Sequence, residues 1–330
     1  MTSGQRRLSA MTAATFLITL AAACGSGGST SSSTSASGEA SAPAAQELSG
    51  QINADGSSTV GPLTTAAYEF FAEQQPKVQV AVGTSGTGGG FEKFCNGETD
   101  IQNASRPIKD EEKAACAAKG VSYTELTVAT DALTVVVNKE NTWAQCLTVE
   151  QLKKIWEPAA EGKVASWKDV DSKFPDEKLT LAGPGTDSGT FDYFTDEVNG
   201  EEGASRKDYS ASENDNDIVA AVSGAKGGLG YFGYTYFEEN QDKLAAVQID
   251  AGNGCVAPSA QSAQDGSYTP LSRPLFVYVK NESAKRPEVK AFLDFYADNI
   301  NKIATDAKYV PLNSEQEAKL KAAVQSLGAS

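Results

Sequence analysis

The sequence predicts an α/β protein of two lobes, each a mixed, mostly parallel sheet flanked by helices, with a hinge of two strands between them. Three observations predict it. Strand and helix periodicities alternate along the chain, as they do when helices cover parallel sheets. Three short loops of hydroxyl residues among glycines each run directly into an amphipathic helix. Two long apolar strands, near 132–138 and 274–280, are placed to cross between lobes. The 330 residues suffice for two domains, and an apolar content of 40% is enough for a sizeable core.

A short strand at 51–54 leads into the first loop, Gly56-Ser57-Ser58-Thr59. Pro62 suits a first helical position. Leu63, Ala66, Ala67, Phe70 and Phe71 then repeat at i, i+3, i+4, i+7 and i+8, one apolar stripe on a helix over 62–74. Val78-Gln79-Val80-Ala81-Val82 alternates as a strand and feeds the second loop, Ser85-Gly86-Thr87-Gly88-Gly89-Gly90, before a short helix at 91–96. A strand over 126–138 contains the buried run Leu133-Thr134-Val135-Val136-Val137. Thr148-Val149-Glu150-Gln151 reads as a capping box opening a helix through Trp156. The strand at 178–182 delivers the third loop, Thr186-Asp187-Ser188-Gly189-Thr190, and a helix over 191–199. A Gly/aromatic strand near 227–234, the strand at 273–279, and helices at 288–299 and 314–327 complete the chain. Lobe one is expected at 47–130 plus 275–330, and lobe two at 131–274.

All three loops lie beyond the carboxyl ends of strands, where open α/β sheets bind ligands. A helix N-terminus presents unpaired N–H groups and the positive end of the macrodipole. Glycine permits close backbone approach, and hydroxyls add donors. Three such mouths converging make a dehydrated cage for a small tetrahedral anion. The net charge of −15 argues against nucleic acid and against an electrostatic hold on anionic membranes. It does not exclude an anionic ligand, because distant surface charge is screened within ~8 Å at physiological salt. The chain has no histidine, so Ser-His-Asp and Cys-His catalysis are excluded and the commonest metal ligand is missing. No metal and no cofactor is expected.

Arg6 and Arg7 precede an apolar, small-residue stretch over 11–23, which reads as a secretory signal at 1–23. It is shorter than the ~20 apolar residues needed to span a bilayer. It ends in Leu20-Ala21-Ala22-Ala23-Cys24, which resembles a bacterial lipobox with Cys24 as the lipidated first residue. Residues 24–46 form a Ser/Gly-rich tether that cannot build a core. Anchor and tether together would hold the folded body at the outer face of the cell membrane. Four cysteines remain, Cys95, Cys116, Cys146 and Cys255. In an exported body they suggest two disulfides, with three pairings open. Cys95–Cys116, closing a short segment, and Cys146–Cys255, pinning distant parts of one lobe, are favoured.

Six motifs then occur in one order: Asp55-Gly56-Ser57-Ser58-Thr59-Val60-Gly61-Pro62, Gly86-Thr87-Gly88-Gly89-Gly90-Phe91, Asp100-Ile101-Gln102-Asn103-Ala104-Ser105-Arg106-Pro107-Ile108, Asp187-Ser188-Gly189-Thr190-Phe191, Gly228-Leu229-Gly230-Tyr231-Phe232-Gly233-Tyr234 and Pro270-Leu271-Ser272-Arg273-Pro274-Leu275. Together they resemble the phosphate-binding lipoproteins of bacterial phosphate ABC importers, the PstS family. The resemblance implies a type II periplasmic-binding-protein fold. It also implies capture of one inorganic phosphate between the lobes and its delivery to a membrane permease, by a monomer that performs no chemistry. Carried over by position, Ser58 and Thr59 donate from the first loop, Thr87 from the second with Ser85 beside it, and Ser188, Gly189 and Thr190 from the third.

The resemblance has one departure. Family members have an aspartate where this chain has Arg106, and an arginine where it has Pro184-Gly185-Thr186. Arg106 is therefore expected to supply a cationic fork to the anion, with Asp187 orienting it across the cleft or accepting the proton of HPO4. Asp131 and the patch Glu213-Asn214-Asp215 are the other candidate acceptors. A buried acceptor would repel sulfate, which carries no proton at neutral pH. The same fold carrying sulfate, molybdate or a phosphonate stays open, as does a secreted phosphatase. The aromatics at 231–234 read as core and Asp100 as structural.

Overall fold

The computed structural model describes residues 47–327. The signal segment, Cys24 and the whole of the tether lie outside the described residues. Among those described, the strands are β1 (Gly50–Gly56), β2 (Val78–Val82), β3 (Ile101–Ala104), β4 (Tyr123–Asn138), β5 (Cys146–Thr148), β6 (Thr180–Gly183), β7 (Ser210–Ala211), β8 (Gly228–Gly233), β9 (Leu244–Ala246), β10 (Gln248–Asp250), β11 (Cys255–Val256) and β12 (Ser272–Lys280). The main sheet runs β2-β1-β3-β12-β4-β8-β6-β7, with β9 also on β4, and β11-β10-β5 form a small second sheet.

One strand makes this a two-lobed molecule. The first part of β4 lies antiparallel to β12, from Ser272 opposite Ala132 to Lys280 opposite Tyr123. Its second part, Leu133 to Val137, pairs with β8. Each part has its own apolar core. Ile52, Leu63, Phe71, Phe292 and Ile300 belong to one, and Leu133, Trp156, Trp167, Phe194 and Tyr231 to the other. In the second core the Trp156 ring meets Phe194, Tyr209 and Tyr231 edge-on at 5.8, 5.4 and 5.0 Å, contacts worth about 0.5–1.5 kcal/mol each beyond area burial. Tyr231 and Phe232 are core, as the sequence indicates. A small cluster of Ala132, Tyr234, Ala263 and Val310 fills the seam between the lobes. In the main sheet parallel pairing is confined to the flanks, β1 with β2 and β3, and β6 with β7 and β8, and in the small sheet β5 and β10 are parallel. The long strands join the flanks antiparallel.

Two local readings change. The glycine stretch is not a loop before its helix but the first turns of it, since the helix spans Gly86–Cys95. Gly90 is required for packing there: a Cβ would lie 2.2 Å from Gln102 Oε1 and 2.5 Å from the Gly56 backbone. The third helix is shorter than its apolar pattern, Gly189–Phe194, and widens into a π turn over Thr195–Asn199. Asp100 is structural: its carboxylate accepts from the Asn53 amide at 2.9 Å and the Ser283 hydroxyl at 2.7 Å. The disulfides are Cys95–Cys116, between helices Gly86–Cys95 and Asp110–Ala118, and Cys146–Cys255, between β5 and β11.

Candidate functional site

The loops that follow β1 and β3, and the first turns of the helices that follow β2 and β6, open onto one interlobe cleft, with Ser188 and Thr190 flanking Gly189 but off its lining. Its volume is about 650 Å³, within the range of small-molecule sites. Ser58, Thr59, Thr87, Arg106 and Gly189 line it, together with Arg273 from the crossing strand β12. The first and third mouths meet closely. A Cβ on Gly189 would lie 2.9 Å from Thr59 Oγ1 and 3.7 Å from Ser58 Oγ. Gly189 is therefore a glycine because the opposing loop occupies the space a side chain needs.

Each loop is locally preorganised. The Ser57 hydroxyl accepts from the Thr59 amide at 3.2 Å, and the Ser57 amide donates to the Asn103 carbonyl at 2.9 Å. On the other wall the Ser188 hydroxyl caps its helix by accepting from the Thr190 amide at 3.2 Å. Thr87 Oγ1 accepts from the Ser105 amide at 3.2 Å. Ser85 stands apart, off the cleft lining. Its hydroxyl and amide donate to Asp55 at 2.5 and 3.0 Å, and Asp55 also pairs with Lys93 at 2.6 Å. Burial raises the Asp55 carboxyl, but Lys93 and Ser85 outweigh it and bring it down to about 2. Ser85 thus holds the second loop to β1 rather than facing the cleft.

Arg106 and Arg273 both reach the cleft, on different terms. Arg106 is not oriented by Asp187. Its guanidinium makes a two-point pair with Glu112, at 2.9 and 2.8 Å, on the same wall. Asp187 is exposed, off the lining, with its amide turned 3.4 Å from Glu213. Arg273 lies at the floor, where β12 passes β4. Its Nη2 donates to Thr59 Oγ1 at 3.3 Å, its Nε to Asp131 at 3.3 Å, and its guanidinium carbon sits 3.6 Å from the centre of the Tyr193 ring. Burial pushes the Asp131 carboxyl up while Arg273 pulls it down, and the net direction is up.

A PBP superfamily domain profile matches residues 37–299. Protein SphX of Synechococcus elongatus is 49% identical over 271 residues, covering 81% of this chain and 80% of that protein. The phosphate-binding protein PstS of Staphylococcus saprophyticus is 43% identical over 279 residues, covering 82% and 84%. The crystal structure of a possible phosphate binding protein from Planctomyces limnophilus matches with a TM-score of 0.80 at 45% identity, over 85% of this chain and 99% of that one. The chain belongs to the PstS family.

Two cleft residues of this PstS-family protein had no role in the sequence reading. Arg273 stands in the motif Pro270-Leu271-Ser272-Arg273-Pro274-Leu275, where a charge beside an apolar strand run marks it. Asp192 lies on the helix that Gly189 opens and lines the cleft. Burial and Glu202 raise its carboxyl, against the pull of Arg273. With Asp196, Glu197 and Glu202 it makes the lobe-two wall acidic, whereas Arg106, Lys109 and Arg273 supply the cations. An anion therefore settles against the floor and the amide-rich mouths, away from Asp196, Glu197 and Glu202.

Proposed function

We propose that this protein is an extracytoplasmic receptor that binds inorganic phosphate between its lobes and delivers it to the permease of an ABC importer, without chemical conversion. The observation that carries this reading is Thr59, which faces lobe two at Gly189 and the hinge cation at Arg273. An oxyanion beside Thr59 meets amides of both lobes and a guanidinium at once. Binding energy then goes into closure, because only the closed arrangement brings both sets of donors to the anion. Charge-assisted hydrogen bonds contribute about 1.5–3 kcal/mol each, so several suffice for micromolar affinity or better, roughly −8 kcal/mol.

In this reading Ser58, Thr59, Thr87, Ser188, Gly189 and Thr190 donate, Arg273 supplies the main cationic fork and Arg106 a second cation. Asp192 takes the place first given to Asp187 and accepts the phosphate proton. Among the described residues no helix is long and apolar enough to cross a membrane; attachment would come from Cys24 and the tether. Calorimetry with phosphate and sulfate tests the reading. The expected result is one phosphate site, with sulfate at least about tenfold weaker. Equal affinities would remove the protonated-oxyanion assignment, and hydrolysis of p-nitrophenyl phosphate would revive the phosphatase.

A further inference from the structure

The first binding loop is held from behind by a segment distant in sequence. The Tyr309 hydroxyl donates to the Thr59 carbonyl at 2.7 Å. The next residue, Val310, exchanges backbone hydrogen bonds with Thr130, both at 3.0 Å, immediately before Asp131. The preceding residue, Lys308, reaches the other lobe. Its carbonyl accepts from the Thr235 hydroxyl at 2.8 Å and its ammonium pairs with Glu239. Thr235 and Glu239 lie on helix Tyr234–Glu239, whose Tyr236 and Phe237 pack against a lobe-two cluster that includes Phe232.

Lys308 is also the one non-glycine residue with positive φ among those described, at +65°. It sits just past helix Ile300–Asp306, where a left-handed residue closes the helix end and glycine is the usual choice. A lysine held in that conformation persists because its surroundings fix it. Here it is held by two helix-end backbone bonds, from the Lys308 amide to the Thr305 carbonyl at 3.0 Å and from the Tyr309 amide to the Ala304 carbonyl at 2.8 Å, together with the contacts to Glu239 and Thr235 across the interlobe seam.

We infer that Tyr309 is a positioning residue for anion binding, and that Lys308–Tyr309 forms a strap tying the aim of the Thr59 loop to the position of lobe two. Thr59 is gripped at two atoms, its carbonyl by Tyr309 and its hydroxyl by Arg273. The two grips fix the orientation of the peptide groups at the mouth of helix Gly61–Ala72. Burial, with the Asp131 charge close by, pushes the Tyr309 hydroxyl well above its ordinary value, so it remains a donor throughout the physiological range. When the lobes approach, the Glu239 and Thr235 contacts carry the movement through Lys308 to Tyr309 and its hydrogen bond to the Thr59 carbonyl.

The inference rests on the phosphate-receptor reading, and two readouts separate their failures. Tyr309→Phe keeps the ring and deletes the donor. Calorimetry should show phosphate binding weakened about fivefold to tenfold, the equivalent of one hydrogen bond. Hydrogen exchange on the ligand-free protein should show faster exchange of the amides at 58–64. Lys308→Gly relaxes the left-handed backbone and removes the ion pair. Its melting temperature should hold or rise while phosphate affinity falls about twofold. A fall in affinity with no fall in stability is what a merely structural role does not produce. Unchanged affinity in both variants, or unchanged exchange at 58–64 in Tyr309→Phe, overturns the strap. Wild-type protein that binds no phosphate overturns the receptor reading, while the exchange comparison still judges the strap.

Discussion

Two arginines line the same cleft from different parts of the molecule, and their partners set them apart. Arg106 stands on the lobe-one wall and is clamped by Glu112, six residues further along the chain. Arg273 stands on the crossing strand and touches Asp131, Thr59 and the Tyr193 face. The Arg106 charge is answered by a well-formed bidentate pair, the strong geometry for guanidinium and carboxylate. Arg273 has single, longer contacts of 3.3 Å to Asp131 and Thr59, so part of its fork remains for an anion. A cation in a pocket is a ligand group only to the extent that its neighbours leave it unanswered.

The sharpest test of that contrast is Arg273→Ala. It should weaken phosphate binding by about tenfold to a hundredfold, one charge-assisted contact set, measured by calorimetry. Asp192→Asn comes next. It keeps the shape and removes the acceptor, so the preference for phosphate over sulfate should fall by about tenfold in competition titrations. Arg106→Ala should cost less than Arg273→Ala, about threefold in affinity, because Glu112 already takes up its fork. A larger loss at Arg106 than at Arg273 would reverse the assignment of the two cations.

The smallest change in affinity belongs to Asp55→Asn, within about twofold, since Asp55 holds the lobe-one loops and does not face the ligand. Its effect is on stability. The native carboxyl sits at about 2 against an ordinary 3.8, so its contribution is present above about pH 4 and disappears as pH falls through 2. The contribution is about 2 kcal/mol at neutral pH. Thermal melts of the variant at pH 7 should show that loss, and the gap from wild type should close near pH 2.

The same contrast explains what was legible in the sequence. The first and third glycine-hydroxyl loops, the capping box at Thr148 and the apolar run of β4 are local patterns, and the structure keeps them. Export and cysteine count predict two disulfides with three pairings open, and the structure holds the favoured one, Cys95–Cys116 with Cys146–Cys255. The partners of the hinge cation were not legible, because Arg273 meets Asp131 and Thr59 across 142 and 214 residues, and Tyr309 meets Thr59 across 250. Arg106 stands in a motif, yet its neutralising Glu112 lies in the first turn of the next helix, where its carboxylate also accepts from the Lys109 amide at 2.8 Å. The helical state of the glycine stretch was hidden too. Glycine is a poor helix former, and only the close passage of Gly90 over Gly56 and Gln102 explains its use there.

A crystal structure of the protein with phosphate bound tests the central claim most directly. The account predicts one phosphate whose oxygens contact the Arg273 guanidinium, the Ser58–Thr59 loop and the amides that follow Ser188, all within hydrogen-bond distance. A phosphate bound on one lobe only, or bound with Arg273 turned away toward Asp131, would contradict it.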